Sequence, residues 1–252
     1  MPQLTAGMFL IICPMLFLAG FVDSIAGGGG IISLPAYLIA GVPVHAAIAT
    51  NKLSSFCGTS VTAARFIKNH LVDFTLALPS AAAAAIGSAI GARISLEAGE
   101  KVLKYILFAV LPVAAFVVLR NRSFGEEREK ASSDVRALAV CVVASLVIGA
   151  YDGFYGPGTG TFLIVAFTTL AGLGIRQANA QAKIVNLATN AAALTVYLIN
   201  GQVIVALGLA GAACNMLGNY LGSGLVITKG PKIAKPVIVI VLILLLIKII
   251  TE

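Results

Sequence analysis

Two lysines in apolar surroundings, each with polar companions at helical spacing, are the residues through which this chain could do chemistry. Lys52 stands among Thr50, Asn51, Ser54 and Ser55, and Lys183 among Gln181, Asn186, Thr189 and Asn190. Steps of three and four, from Asn51 to Ser55 and from Lys183 through Asn186 to Asn190, place these groups along one helical face. Each lysine lies well inside its apolar segment, where an ionisable group is by default a functional residue. Two such stripes suit a small oxyanion, because lysine supplies charge while amides and hydroxyls supply directional donors. The alternative use of the same residues is a lysine stem that carries its head to the membrane interface, or a purely structural pair.

Two further features accompany the lysines. The strings Asp23-Ser-Ile-Ala-Gly27-Gly28-Gly29-Gly30 and Asp152-Gly-Phe-Tyr-Gly156-Pro157-Gly158-Thr159 each set an acid four positions before a glycine break. Consecutive glycines hold a helix poorly, each costing about 1 kcal/mol relative to alanine. Unwound backbone is therefore expected at Gly28, Gly29 and Gly30 and again at Gly158 and Thr159. A helix restarting there turns free N–H groups toward an anion. Close helix packing through small residues is the other use of these glycines. Asp23 and Asp152 can cap free N–H groups, pair with a lysine, or take up a coupling proton.

The elements that must hold these residues repeat. Residues 41–119 lie over residues 172–250 without a gap, which sets Lys52 on Lys183, Phe66 on Tyr197, Asn69 on Asn200, Gly87 on Gly218 and Gly91 on Gly222. With 59% hydrophobic and 11% charged residues and a mean hydropathy of +1.01, the chain reads as an integral membrane protein. Charge-free stretches at 1–22, 74–92, 153–175 and 184–228 are continuous apolar blocks. They fit helices better than the alternating strands of a barrel. Each half reads as a short, glycine-interrupted pair followed by three ordinary spans. These are 5–22 with 31–39, then 45–67, 72–94 and 102–119 in the first half. The second half gives 135–151 with 161–173, then 176–199, 203–227 and 233–250. The short arms are expected to fall below the thickness of the hydrocarbon core, and so to enter and turn back or to cross as broken helices.

The expected fold is an all-α polytopic membrane protein of two inverted repeats, each a glycine-broken pair plus about three transmembrane helices. The divisions are 1–119, a basic cytoplasmic linker at 120–134, and 135–252. Arg120, Arg122, Arg128, Lys130 and Arg136 place the linker inside the cell by the positive-inside rule, and loops of this kind account for most of the net charge of +7. An odd number of crossings per half makes the repeats inverted; an even number would make them parallel. Internal duplication with broken segments at matching positions marks a secondary transporter.

Other classes find no support in the residues. Cys13, Cys57, Cys141 and Cys214 each stand alone, without metal or disulfide spacing. No nucleophile–base pairing, phosphate loop or dinucleotide fingerprint occurs. An enzyme, a metal, a cofactor and a nucleic-acid partner are therefore not expected. The expected partners are a small anionic substrate, the lipid bilayer, a coupling proton and, through the Gly87–Gly91 and Gly218–Gly222 patterns, a second copy in a homodimer.

The glycine string followed by Leu34-Pro35, the stretch Ala49-Thr50-Asn51-Lys52-Leu53, and their counterparts around Gly156-Pro157-Gly158 and Ala182-Lys183-Ile184-Val185-Asn186 resemble the TauE/SafE family of bacterial membrane transporters, the sulfite exporters. The resemblance covers nearly the whole chain. It implies multi-pass residence in the cytoplasmic membrane and movement of sulfite or an organosulfonate such as sulfoacetate, coupled to an ion gradient. A passive anion channel is the competing expectation. Symmetry is imperfect: Thr50-Asn51 face Gln181-Ala182, and Gly30 faces Thr159.

Overall fold

A computed structural model describes residues 4–99 and 134–229, and these residues form helices and connections with no strand among them. The first half supplies α1 (Ala6–Ala26), α2 (Gly30–Ile39), α3 (Val44–Lys68) and α4 (Phe74–Glu97). The second supplies α5 (Val135–Phe154), α6 (Thr159–Thr169), α7 (Ile175–Ile199) and α8 (Val205–Lys229). Among the described residues, α1, α4, α5 and α7 are long and apolar enough to cross a membrane. The expected last span of each half, at 102–119 and 233–250, and the linker up to residue 133 lie outside the described residues.

The broken pairs differ from the sequence expectation in one respect. Their first arms are not short, since α1 has 21 residues and α5 has 20, about 30 Å at the helical rise. The sequence reading stopped each arm before its aspartate, as a charge ordinarily ends an apolar segment. In the structure the helix runs through Asp23 and Asp152 to Ala26 and Phe154. Only α2 and α6, with 10 and 11 residues, are short. Gly27 terminates α1 at φ 76°, with its N–H donating to the Asp23 carbonyl oxygen, a left-handed conformation that glycine adopts without a Cβ penalty.

Helices of opposite halves pack side by side in the same direction. Along the α1–α8 seam, Gly20 meets Asn215, Gly218 meets Phe17 and Phe21, and Gly222 meets Phe21 and Ser24. Along α4–α5, Gly149 meets Ala84, Gly87 meets Leu146, Gly153 meets Ser88 and Gly91 meets Ala150. Residue numbers rise together in both seams. A Cβ at Gly87 or Gly218 would collide with the carbonyl oxygen of Leu146 or Phe17, so these small-residue patterns hold helices together within the chain.

The same sense holds for α3 with α8, joined from Thr50 and Ile204 to Thr62 and Asn219. It holds too for α4 with α7, joined from Asp73 and Gln181 to Ser88 and Thr189. The short loop between α3 and α4 reverses the chain, so α1, α3 and α8 run one way and α4, α5 and α7 the other. Because α1 and α3 share a direction, α2 must bring the chain back toward the side on which α1 began.

Candidate functional site

The two glycine breaks meet in the interior. Gly27 lies against the Gly160 backbone, and Gly30 lies against Pro157. Thr161 ties the breaks across the halves: its N–H donates to the Gly27 carbonyl at 3.2 Å and its hydroxyl to the Ala26 carbonyl at 2.7 Å. Nothing larger than hydrogen fits at Gly27 or Gly160 without displacing backbone, so the crossing depends on glycine from both halves.

Around the crossing sit two buried ion pairs, each between halves. Lys52 Nζ of α3 lies 2.8 Å from Asp152 Oδ2 of α5, and Lys183 Nζ of α7 lies 2.8 Å from Asp23 Oδ2 of α1. Lys52 and Asp152 are each 2% exposed, Lys183 is fully enclosed, and Asp23 is 9% exposed. The Lys183 contact is an aligned hydrogen bond. On the other pair, Asp152 Oδ1 also accepts the Thr159 hydroxyl at 2.7 Å. Unpaired charges at this depth are costly, whereas paired ones are tolerated. Here each half neutralises the other.

A cavity of about 20 Å³ lies among these groups, room for about one water. Asp23, Gly30, Asn51, Lys52, Ser55, Asp152, Thr159, Asn186 and Asn190 border it, all of them sequence candidates, together with Gly27, Gly156 and Gly160. Asn51 presents a buried Oδ1 without a hydrogen-bond partner among the described residues. Asn190 Nδ2 donates to the Asn186 carbonyl at 2.8 Å and to its Oδ1 at 3.1 Å, which fixes the stripe on α7. The N-terminal end of α6, at Thr159 and Gly160, also faces the cavity and adds the positive end of a helix dipole.

The remaining candidates lie elsewhere. Thr50 Oγ1 accepts the Ile204 N–H at 3.0 Å. Gln181, with its amide oriented as its bonds require, donates to the Asp73 carbonyl at 3.2 Å and accepts the Asp73 N–H at 2.7 Å. The two residues correspond between the halves, and each fastens the entrance to the fourth helix of the opposite half. Lys183 borders the cavity only through its partner Asp23. Gly29 packs against Asp23 Cβ, Gly158 packs against the Phe162 ring, and Gly28 is not among the lining residues.

Sequence reasoning did not reach Thr161, or which lysine each aspartate meets. Asp23 is far closer along the chain to Lys52 than to Lys183, so linear distance points to the wrong partner. The signal that could have found the pairing is charge balance between two duplicated halves, each with one acid and one base inside its helices. Among the described residues no cluster of metal-ligating side chains occurs, and the four cysteines are free.

Residues 12–249 match the family described as "Sulfite exporter TauE/SafE". The chain is 37% identical to a "Probable membrane transporter protein ORF9" of a Sinorhizobium species, over 94% of this chain and 90% of that one. It is 37% identical to the "Probable membrane transporter protein YfcA" of Escherichia coli K12, over 89% and 82% of the two chains. A "Probable membrane transporter protein" of Haemophilus influenzae is 33% identical over 89% and 87%. No solved structure matches the chain.

Proposed function

The chain belongs to the sulfite exporter TauE/SafE family of membrane transporters, and from this membership and the site geometry we propose that it is a secondary transporter of a small sulfur-containing anion. The substrate is sulfite or an organosulfonate such as sulfoacetate, carried across the cytoplasmic membrane and coupled to an ion gradient. Support comes from one observation above the others: a buried ammonium, Lys52, borders a cavity with amides and hydroxyls where two broken helices meet. Lysine charge beside neutral donors and a helix N-terminus is a combination suited to an oxyanion.

The mechanism is alternating access between two inverted repeats. The opposite run of corresponding helices supports this arrangement, and so does the way each half closes the other through Lys52–Asp152, Lys183–Asp23 and Thr161. In the conformation described here the site is closed down to the space of one water, so a three-oxygen anion requires the halves to part. Asp23 and Asp152 are the groups placed to carry a coupling proton, because releasing either lysine to an anion leaves a carboxylate that a proton would neutralise.

The test is uptake of labelled sulfoacetate and of sulfite into vesicles containing the purified protein. Saturable uptake that accelerates when the vesicles are preloaded with unlabelled substrate is expected of a carrier. Flux proportional to concentration with no counter-transport would replace the carrier with an anion channel. Absence of any sulfur-anion flux above protein-free vesicles would remove the substrate class.

A further inference from the structure

Resting on the reading of the site as an anion carrier, we infer that the transported anion is a monoanion that takes the place of the Asp152 carboxylate at Lys52 and enters with one proton, carried by Asp152. The two ion pairs are not equivalent in the structure. Lys52 and Asp152 both border the cavity, whereas Lys183 is fully enclosed and does not. The neutral groups that could dress an oxyanion, Asn51, Ser55, Asn186 and Asn190, border the cavity beside Lys52. The exchangeable pair is therefore Lys52–Asp152, and Lys183–Asp23 is the fixed one.

Charge counting sets the substrate class. Two lysines and two aspartates sum to zero in the empty site. A monoanion alone would leave one uncompensated negative charge in a buried, low-dielectric space, which is strongly unfavourable. Protonation of Asp152 restores zero: an O–H bond forms on the carboxyl, the ion pair opens, and an anion oxygen takes its place against the Lys52 ammonium. A dianion needs a second proton, and the second carboxylate is held by Lys183, so within the proposed substrate class hydrogen sulfite and singly charged sulfonates are taken in preference to doubly charged sulfoacetate. The groups facing Asp152 from the packed elements are Lys52 on α3, Asp23 on α1, Lys183 through Asp23 on α7, the Thr159 hydroxyl on α6 and the phenols Tyr151 and Tyr197. Anion and proton thus favour each other's binding by the same factor.

The experiment is titration calorimetry of the purified full-length protein between pH 6 and 8, about the physiological range, in two buffers of different ionisation enthalpy. The probes are methanesulfonate, a monoanion throughout, and sulfate, a dianion throughout. The expected result is uptake of about one proton per methanesulfonate and a Kd that rises about tenfold per pH unit where Asp152 is ionised in the empty site. Sulfate should bind at least about tenfold more weakly. Asp152→Asn should bind methanesulfonate without proton uptake and without pH dependence, whereas Asp152→Glu and the charge-balanced variant Asp23→Leu with Lys183→Met should retain both.

Methanesulfonate binding without proton uptake, a slope that survives in Asp152→Asn, or sulfate binding as tight as methanesulfonate overturns the inference while leaving an anion carrier standing. If Asp152→Asn does not fold, the variant Asp23→Leu with Lys183→Met decides between the two carboxylates: retained proton uptake and slope support Asp152, and their loss overturns the inference. If the wild type binds neither these probes nor sulfite at any pH, the carrier reading itself falls, and the inference with it.

Discussion

Removing the lysine of the enclosed pair is the sharpest test of how the halves are held together. Lys183→Ala leaves the buried Asp23 carboxylate without its ammonium. Breaking a buried pair from one side costs about 3–5 kcal/mol, since a charge is stranded. For a chain of this size each kcal/mol lowers the apparent Tm by about 2–4 °C, so the single variant should melt about 6–20 °C lower. Asp23→Asn should lose at least as much, because Lys183 is fully enclosed and cannot move its head to water, whereas Asp23 borders the small cavity. Asp23→Leu combined with Lys183→Met removes both charges, and such replacements range from neutral to stabilising.

The assay is a thermal melt of the wild type, Asp23→Leu, Lys183→Met and their double variant in one detergent, read as a double-mutant cycle. Recovery of most of the lost Tm in the double variant is expected. A double variant that melts at the sum of the two single losses would refute the pairing of Asp23 with Lys183. The cycle also separates folding from binding. Alanine at either lysine, expected from the sequence to abolish binding with folding intact, strands a carboxylate and confounds the two, so binding comparisons are better made with the charge-balanced double variants.

Other outcomes follow from the geometry. Gly218→Leu places a side chain on the Phe17 backbone and should cost about 1–3 kcal/mol or more, read as a lower yield of folded protein by fluorescence-detected gel filtration. Gly27→Ala meets both a left-handed φ of 76° and the Gly160 backbone, and should abolish transport even where folded protein is recovered. Thr161→Val removes the hydroxyl bond to Ala26 but retains the N–H bond to Gly27, so a loss of about 1 kcal/mol is expected in the same thermal melt. Residues 1–119 and 120–252 made as separate chains should accumulate only when produced together, since the α1–α8 and α4–α5 seams each join the two halves; accumulation of either alone at the co-expressed level would count against those seams.

Much of this arrangement is legible in the chain. The duplication, the two lysines with their polar stripes, the aspartates and the glycine breaks are visible because helical periodicity and a fixed offset are one-dimensional properties. Partnership between halves is not. Thr50 and Gln181 belong to the same stripes as Asn51 and Asn186, yet they turn to backbone at Ile204 and Asp73, a choice decided by which helix stands alongside. The length of α1 escaped for a related reason: Asp23 ends an apolar run only while its charge has no partner, and that partner lies 160 positions away.

The separation has a consequence for how the protein is made. Chains are delivered to the membrane from the N-terminus onward, so Asp23 and Lys52 enter the bilayer while Lys183 and Asp152 are still unwritten. A nascent first half therefore holds one acid and one base whose permanent partners do not yet exist, at depths where a lone charge is poorly tolerated. Insertion of α1 and α3 must stay provisional until α5 and α7 arrive, and translation stopped at the midpoint would leave a chain marked as unfinished by its own unmatched charges.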